Sequence, residues 1–433
     1  MTEAAVHLFK SNMGAVGRSV LERLASGGHA AYFVGGCVRD SLLGRPVKDI
    51  DIATSALPDE VMSIFPHAVP TGLQHGTVTI PIDGFQFEVT TFRAEDAYTD
   101  GRRPDSVRFL SDIEGDLERR DFTMNAMALG LRGGLVDPHG GRDDLAARVL
   151  RCVGDPAHRF EEDALRMLRC VRFAAEYSLA VEAATWREAT LGAPGLSRIA
   201  MERVRMELER MVSGLHPYRA MRLLAESGLL RWCKTRLRLP RTLGLAMEDE
   251  DPLCALDAIP DWEARFALWL DRMELTPEEA QYAFDALRFS KQSTAAVLNV
   301  FRLHRAVVKA EAVYARTAFV TAVLQWGTIA AERWLALARV LCSNEAYHWM
   351  EPYAADGERW LRGMDAKELG ELAIDGRQLM AASQRSGGPW VKEVLQRLLR
   401  EVALGRLANE TDTLVRRAAQ LWNEGEELDE RKE

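Results

Sequence analysis

Residues 32–54 have the sequence YFVGGCVRDSLLGRPVKDIDIAT, and this stretch decides the fold of the first part of the chain. Residues 32–34 form a short apolar run that is typical of a strand. A Gly-Gly pair ends this run, and residues 38–43 have the apolar spacing of a helix. Residues 47–53 then predict a second strand. We therefore expect a strand, a glycine turn, a helix and another strand in close succession.

The second of these strands alternates acidic and apolar residues. Asp49 and Asp51 are interleaved with Ile50 and Ile52. Residues two apart in a strand lie on the same face. We therefore expect the two carboxylates to project together, while the two isoleucines enter a core.

Two neighbouring carboxylates repel each other unless a cation lies between them. Oxygen ligands favour Mg²⁺, which usually takes one or two carboxylates and completes its coordination with substrate phosphates and water. An acidic strand that merely faces solvent is the alternative. The glycine turn and Arg39, a cation suited to a triphosphate, favour a metal-dependent site for phosphoryl or nucleotidyl transfer. Asp49 and Asp51 are the predicted metal ligands and catalytic residues.

The length and charge of the chain limit its organisation. A chain of 433 residues is too long for one ordinary core and indicates about two to four domains. Its net charge of −9 is unlike that of a generic nucleic-acid binder. Residues 141–240, however, carry 18 Lys and Arg against 13 Asp and Glu, a net charge of +5. If RNA binds, we expect its phosphates at this middle region.

The sequence predicts neither a membrane-spanning helix nor a signal peptide. No run of 18 apolar residues is present, and residues 1–12 are polar. The six cysteines are dispersed without CxxC pairs. This usage is typical of a reducing compartment and disfavours a thiolate metal site. We therefore predict a cytoplasmic protein.

A hairpin and a polar segment follow the acidic strand. Residues 77–92 form two alternating segments joined by Asp83 and Gly84, which is a strong hairpin signal. Glu88 in this hairpin is either a third carboxylate near the metal or a solvated strand residue. Residues 93–108 carry charge, glycine and proline, and they predict a loop.

Residues 117–131 include RRDFTMNAMA and predict a helix. Their apolar side chains have helical spacing, and Arg120, Asp121 and Asn125 fall on other faces. Taken alone, this segment has the pattern of a surface helix.

Residues 159–177 predict one continuous helix with an inward apolar side. Glu162 can pair with Arg166, four residues later, and fix its guanidinium. A solvated, salt-bridged helix face is the alternative interpretation. Charged residues recur at every third position and form one ridge on this helix: Asp163, Arg166, Arg169 and Arg172.

These motifs together resemble the signature of class II tRNA nucleotidyltransferases and bacterial poly(A) polymerases, in the polymerase-β-like superfamily. The segment GGCVRDSLLGRPVKDIDIAT resembles the first motif, RRDFTMNAMA the second and DPHGGRDDL the third. EEDALRMLR matches the nucleotide-selecting EDxxR motif at Glu162, Asp163 and Arg166. LSRIAMERVRMELERMV resembles the fifth motif, a bracing helix, so Arg203 and Glu207 are expected to be structural.

The resemblance implies roles for particular side chains. The glycine turn and Arg39 are expected to contact phosphates, and Arg120 and Asp121 the sugar and triphosphate. Asp163 and Arg166 are expected to select the base. The predicted nucleotide-binding residues are Gly35, Gly36, Arg39, Arg120, Asp121, Asn125, Asp163, Arg166, Arg169 and Arg172.

Base edges explain why an Asp–Arg pair could select nucleotides. Cytosine and adenine each present an amino donor beside a ring-nitrogen acceptor, which complements an accepting Asp and a donating Arg. Uracil and guanine present the opposite order. They would leave buried polar groups unpaired, at a cost on the order of a few kcal/mol. One Asp–Arg pair can therefore select C and A without a nucleic-acid template.

The resemblance implies an α+β, polymerase-β-like nucleotidyltransferase head with a mixed sheet and helices, followed by an all-helical neck, body and tail. We place these at residues 1–148, 149–214, 215–335 and 336–433. The expected reaction adds C, C and A to the tRNA 3′ end from CTP and ATP without a nucleic-acid template, by a two-metal mechanism in which Asp49 and Asp51 hold two Mg²⁺ ions.

The expected partners are the acceptor end and elbow of tRNA, and no protein partner is predicted. In the family that the chain resembles, enzymes that add only cytidines have a shortened loop at this position, so the resemblance and the length of residues 93–108 together disfavour such an enzyme. An A-adding enzyme and a poly(A) polymerase remain open. A non-catalytic RNA-binding protein is disfavoured by the intact DxD, RRD and EDxxR motifs.

Overall fold

The computed structural model describes residues 3–95, 107–245, 251–308 and 310–429 of the chain. The chain divides into two compact units, Met1–Leu237 and Arg238–Glu433. Most of the predicted loop at 93–108 lies outside the described residues.

The first part of the first unit builds most of a sheet. Its elements, in order, are α1 (Glu3–Lys10), α2 (Asn12–Ser26), β1 (Ala31–Val34), α3 (Gly36–Leu42), β2 (Asp51–Thr54), α4 (Pro58–Ile64), β3 (Val69–Gly72), β4 (Thr77–Ile82) and β5 (Phe85–Thr91). The strand, glycine turn, helix and strand expected from residues 32–54 are therefore confirmed. The β4–β5 hairpin is also confirmed: Asp83 and Gly84 both have positive φ, 49° and 79°, as a two-residue hairpin turn requires.

The rest of the first unit completes the sheet and then becomes helical. Its elements are β6 (Arg93–Glu95), β7 (Val107–Phe109), α5 (Ile113–Glu118), β8 (Ala128–Gly130), β9 (Leu135–Val136), α6 (Gly141–Ala146), β10 (Val149–Leu150), α7 (Pro156–Glu162), α8 (Leu165–Glu176), β11 (Ala180–Val181), α9 (Ala183–Leu191), α10 (Met201–Ser213) and α11 (Pro217–Ser227). β6 and β7 pair antiparallel as a separate two-stranded ribbon.

Seven strands form one mixed sheet in the order β3-β4-β5-β2-β1-β8-β9. β1 lies between β2 and β8 and is antiparallel to both. β2 is parallel to β5, with Asp51 opposite Glu88. The mixed sheet predicted for the head is therefore confirmed, and the acidic strand is flanked by neighbours on both sides.

The helix predicted over residues 117–131 is wrong. α5 ends at Glu118, a single 3-10 turn covers Thr123–Asn125, and β8 follows. Phe122 forms an isolated β-bridge with Cys152, and Leu129 pairs with Phe33 of β1. The apolar side chains recur at helical spacing, but pairing with distant strands overrides this local pattern.

The continuous helix predicted over residues 159–177 is also wrong, because α7 and α8 are separated at Asp163. This residue has an extended backbone, with φ −139° and ψ 100°. Its Oδ1 accepts the N–H of Leu165 at 3.0 Å, which satisfies a free amide at the start of α8. The predicted ridge therefore begins at Arg166, and Asp163 lies at the turn before it.

The described residues of the second unit form helices joined by loops, without strands, and its predicted helical character is confirmed. Its helices are α12 (Trp262–Arg272), α13 (Pro277–Ala286), α14 (Lys291–Val307), α15 (Ala315–Trp326), α16 (Thr328–Leu341), α17 (Glu351–Arg362), α18 (Gly376–Ser383), α19 (Pro389–Ala403) and α20 (Thr411–Asp429). The fully buried Trp334 packs edge-on against Tyr353 and donates its Nε1–H to His304 at 3.1 Å. None of the described helices combines the length and apolarity needed to cross a membrane.

Candidate active site

A pocket of about 420 Å³ in the first unit contains nine of the ten predicted nucleotide-binding residues and both predicted metal ligands. It is lined by Gly35, Gly36, Arg39, Asp49, Asp51, Arg119, Arg120, Asp121, Asn125, Asp163, Leu165, Arg166, Arg169, Phe173 and Arg203. Residues far apart in sequence therefore meet beside the end of β1 and the start of β2, two central strands of the sheet.

The alternation of residues 49–52 places both carboxylates on the pocket side. Ile50 and Ile52 are 1% and 0% exposed, whereas Asp49 and Asp51 are exposed. Asp51 opens β2, and Asp49 precedes the strand by two residues. The predicted pattern of paired carboxylates over a buried isoleucine pair is confirmed, although the strand is shorter than expected.

The electrostatics of this pair favour a cation. Asp51 is exposed as a residue, but protein groups around its carboxyl remove part of its hydration. This partial burial raises the pKa of Asp51 to about 6, and the charges of Asp49 and Glu88 add to the effect. A cation between Asp49 and Asp51 would remove the repulsion.

The donor set suits a hard divalent ion that keeps open coordination positions. Among the described residues, no group of three or more His, Cys, Asp or Glu side chains is arranged to hold a metal. Glu88 lies opposite Asp51 in the parallel β2–β5 pair, so the two exposed side chains share one face of the sheet. Glu88 is not among the pocket-lining residues, and its charge helps to raise the pKa of Asp51. Two carboxylates alone would leave most of an octahedron to phosphate oxygens and water, as Mg²⁺ prefers.

The glycine turn lets one pocket arginine approach the backbone. Gly35 has φ +73°, and a Cβ at this position would lie 2.9 Å from Nη1 of Arg120. Only glycine combines this conformation with this contact at little cost. Arg120 also donates to the carbonyl oxygen of Asn125 at 3.5 Å.

Arg39 is fixed in one orientation by three neighbours. It donates to both carboxylate oxygens of Asp40 at 3.0 Å and to Oδ1 of Asn125 at 2.6 Å. Its guanidinium also lies 4.3 Å from the centre of the Tyr177 ring. A guanidinium held in this way loses little freedom when it binds an anion.

Asp121 joins the second motif to α8. One carboxylate oxygen accepts from Asn125 at 3.0 Å and from the amide of Phe122 at 2.8 Å. The other accepts from Arg169 at 2.6 and 2.8 Å. Burial alone would raise the pKa of Asp121, but Arg169 and the Asn125 hydrogen bond lower it to about 2. Asp121 is therefore a fixed anion at neutral pH.

Asp163 and Arg166 each have a different partner. Asp163 forms a two-bonded ion pair with Arg203, at 2.7 and 3.3 Å. Arg166 pairs with Glu162 at 2.5 Å, as predicted, and donates to the carbonyl of Arg119 at 3.1 Å. Both side chains reach the pocket, but they are oriented by separate networks.

Arg203 and Arg119 line the pocket although the sequence analysis did not place them there. Arg203 was expected only to brace the helix before it. Its position in LSRIAMERVRMELERMV gave no sign of contact with a residue 40 positions earlier. Arg119 precedes the matched Arg120 in the RRD triplet, and this doubling was the available signal.

Arg172 lies behind the pocket. Its guanidinium pairs with Glu207 of α10 at 2.6 Å and with Glu176 at 2.9 Å, and it lies 3.9 Å from the ring centre of Phe173. Phe173 itself lines the pocket. Arg172 and Glu207 therefore connect the bracing helix to the base of the site.

Known proteins share these motifs and this fold. Residues 31–151 match the family model described as "Poly A polymerase head domain", and residues 259–418 match tRNA nucleotidyltransferase domain 2. Residues 178–233 match the "Probable RNA and SrmB- binding site of polymerase A". The three models follow one another along the chain without overlap.

Curated relatives cover nearly the whole chain. A CCA-adding enzyme of Geobacillus thermodenitrificans is 37% identical over 403 residues, 91% of this chain and 94% of the relative. A CCA-adding enzyme of Limosilactobacillus reuteri is 36% identical over 414 residues, 94% of this chain and 97% of the relative. Both identities extend through the helical second unit.

Solved structures have the same fold. The CCA-adding enzyme of Bacillus stearothermophilus in complex with CTP matches with a TM-score of 0.77 and 31% identity, covering 99% of this chain and 100% of that one. The Thermotoga maritima CCA-adding enzyme complexed with tRNA matches with a TM-score of 0.66 at 20% identity, covering 96% and 98%. The second likeness concerns the fold alone.

Proposed function

This chain belongs to the CCA-adding enzyme family, and we propose that it adds C, C and A to the 3′ end of tRNA from CTP and ATP, releasing pyrophosphate. One observation carries this proposal. Asp49 and Asp51 share a pocket with six arginines, in a chain that is 37% identical to a CCA-adding enzyme over 91% of its length. Paired carboxylates beside clustered guanidinium groups suit a nucleoside triphosphate with its metal ions.

We propose Mg²⁺ as the metal, held by Asp49 and Asp51. When two divalent ions are bound at such a site, one would lower the pKa of the primer 3′-hydroxyl and the other would bind the triphosphate and stabilise the charge on the leaving pyrophosphate. The protein's part is to hold both carboxylates on one face, which the sheet does through the buried Ile50 and Ile52. A bound cation would offset the raised pKa of Asp51 and favour its ionised form.

The glycine turn and Arg39 are proposed to bind the phosphates. Arg120, Asp121 and Arg169 are proposed to position the sugar and triphosphate. Support for this comes from their hydrogen bonds. Arg169 is held by Asp121, and Asp121 is held by Asn125, so these groups are arranged before the nucleotide enters. Preorganised charges of this kind need little rearrangement during reaction.

Asp163 is proposed to accept the amino group of cytosine or adenine. Its carboxylate has about four acceptor positions. Two are used by Arg203 and one by the amide of Leu165, which leaves one for a base. Arg166, held by Glu162, is proposed to donate to the neighbouring ring nitrogen.

We propose that the four predicted domains have different roles. The head (1–148) and neck (149–214) are proposed to bind the nucleotide, while the body (215–335) and tail (336–433) contact tRNA at its acceptor arm and elbow. The net charge of +5 on residues 141–240 supports RNA contact near the neck. All six cysteines are free thiols, which supports the prediction of the reducing cytoplasm.

The test supplies three tRNAs, ending before the CCA tail, after the first C and after CC, each with one labelled nucleotide at a time. The proposal expects C on the first two, A on the third, and no addition from UTP or GTP. Addition of A alone to the third tRNA would identify an A-adding enzyme. Long A tails on unrelated RNA would identify a poly(A) polymerase.

A further inference from the structure

Behind the pocket lining lies a buried carboxylate that contacts two of the lining arginines. Asp116 of α5 is 1% exposed. Its Oδ1 lies 2.9 Å from Nη2 of Arg119, and its Oδ2 lies 3.2 Å from Nη2 of Arg120. Both arginines face the pocket. One anion therefore orients two cations that reach the nucleotide site.

The same carboxylate also contacts the two-stranded ribbon. The backbone N–H of Arg93 in β6 donates to Oδ1 of Asp116 at 3.3 Å. Nε of Arg119 donates to that oxygen at 3.0 Å. Asp116 thus connects α5, the ribbon and the RRD triplet through one buried group.

The orientation of the Arg120 guanidinium depends mainly on its contact with Asp116. Its Nε is buried without a hydrogen-bond partner in the described part of the chain. Besides its contact with Asp116, the guanidinium donates a long hydrogen bond of 3.5 Å to the carbonyl oxygen of Asn125. Since an arginine side chain has several freely rotating bonds, Asp116 supplies most of what fixes its direction.

Asp116 is ionised at neutral pH. Burial alone would raise the pKa of this carboxyl, but Arg119 and Arg120 more than compensate and lower it below its ordinary value. A buried carboxylate with two guanidinium partners is costly to disturb, because removing either side leaves an uncompensated charge.

We propose that Asp116 is a positioning residue for the nucleotide, which holds Arg119 and Arg120 toward the triphosphate and joins them to β6. The identity of the ligand, a nucleoside triphosphate, rests on the proposed function. The position of the two arginines does not.

The test compares Asp116→Asn with Asp112→Asn. Asp112 is exposed and caps the same helix by accepting the N–H of Gly115 at 2.9 Å. Asp112→Asn removes a carboxylate charge from the start of the same helix without touching either arginine, so it controls for the loss of charge alone. We expect Asp116→Asn to raise KM for CTP and ATP by roughly tenfold or more, because a charge-assisted contact is lost at each arginine. KM for tRNA and kcat should change less than threefold, and Asp112→Asn should leave all three near wild type.

Two further measurements separate positioning from folding. In the Asp116→Asn/Arg120→Gln double variant, the increases in KM should be less than multiplicative, because both changes remove one interaction. If Asp116→Asn alone does not fold, the double variant with Arg119→Gln removes a charge and its counter-charge together, and it is compared with Arg119→Gln alone. A further loss of nucleotide affinity of several fold supports the proposal.

The inference is overturned if Asp116→Asn keeps KM for CTP within twofold of wild type. It is also overturned if KM for tRNA rises equally, or if the increases in KM caused by Asp116→Asn and Arg120→Gln multiply in their double variant. A double variant of Asp116→Asn and Arg119→Gln that binds the nucleotide as well as Arg119→Gln alone would overturn it too. Titration calorimetry with CTP and Mg²⁺ measures the same affinities without transfer. A wild type that binds CTP but transfers nothing would therefore refute the proposed function and leave this inference testable.

Discussion

Replacement of Asp163 by Asn provides the most direct test of base selection. The Asp163 carboxylate accepts two hydrogen bonds from Arg203 and one from Leu165, and the amide of Asn keeps one acceptor while turning a donor toward the base. Cytosine loses a charge-assisted hydrogen bond, worth about 2 kcal/mol or roughly 30-fold in kcat/KM. Uracil gains a donor for its carbonyl.

The assay measures kcat/KM for CTP and UTP on a tRNA that ends before the CCA tail. We expect Asp163→Asn to reduce the CTP-to-UTP ratio by at least 30-fold, an estimate that follows from the same hydrogen-bond energy. Arg203→Gln is the matched control, because it removes the ion pair and keeps the carboxylate. Arg203→Gln should lower kcat/KM for both CTP and UTP and keep most of the preference for CTP. An unchanged CTP-to-UTP ratio in Asp163→Asn would refute the reasoning. An equal loss of this ratio in Asp163→Asn and Arg203→Gln would show that the Asp163–Arg203 ion pair, rather than Asp163 alone, selects the base.

Three further predictions concern the rest of the pocket. Asp51→Ala should abolish nucleotide transfer, since the metal loses one of its two carboxylate ligands. If the variant keeps a tenth of the wild-type rate in a pyrophosphate-release assay, Asp51 is not a metal ligand. Gly35→Ala should raise KM for CTP by about tenfold, because the added methyl group would displace Arg120. Gly44 is the control: it has φ +65° and open space where a Cβ would lie, so Gly44→Ala should cost only roughly 1–2 kcal/mol of backbone strain and leave KM unchanged. Similar KM values for the two variants would contradict this prediction. The pKa of Asp121 is lowered to about 2 from 3.8, so its ionisation should contribute about 2 kcal/mol of stability above pH 4 that is lost as the pH falls toward 2. Urea unfolding of Asp121→Asn at a series of pH values should accordingly approach wild type at the acid end, and a pH-independent difference would count against the assignment.

The part of the site that was predictable from sequence depends on local periodicity. Asp49 and Asp51 lie on the pocket side, opposite the buried Ile50 and Ile52, because an extended chain alternates its side chains with a period of two, and that alternation can be read from the sequence. The glycine turn was predictable for a similar reason. Gly35 adopts a conformation that other residues rarely adopt, so two successive glycines before a helix already indicated a special turn.

What failed depends on contacts between residues far apart in sequence. Asp163 interrupts the predicted helix because its carboxylate accepts the first amide N–H of α8, that of Leu165, and pairs with Arg203. Helical spacing continues through this point, so periodicity could not detect the break. The RRDFTMNAMA segment failed similarly, since Phe122 and Leu129 pair with strands that lie elsewhere in the sequence. The EDxxR resemblance pointed to Asp163 and Arg166, which line the pocket, without giving their geometry.

The charge of the pocket explains how an acidic chain can bind a polyanion. Six arginines and four aspartates line the site, so the lining is positive while the whole chain carries −9. Charges beyond about 10 Å are largely screened at physiological ionic strength, which makes the local balance decisive. Several of the lining arginines are held by carboxylates behind them, such as Asp40 for Arg39 and Asp116 for Arg120. These anions reduce the repulsion among crowded guanidinium groups and fix their directions. The site therefore gains its affinity for a triphosphate from short-range, oriented charges, and its nucleotide binding should depend on those buried carboxylates more than on the overall charge of the protein.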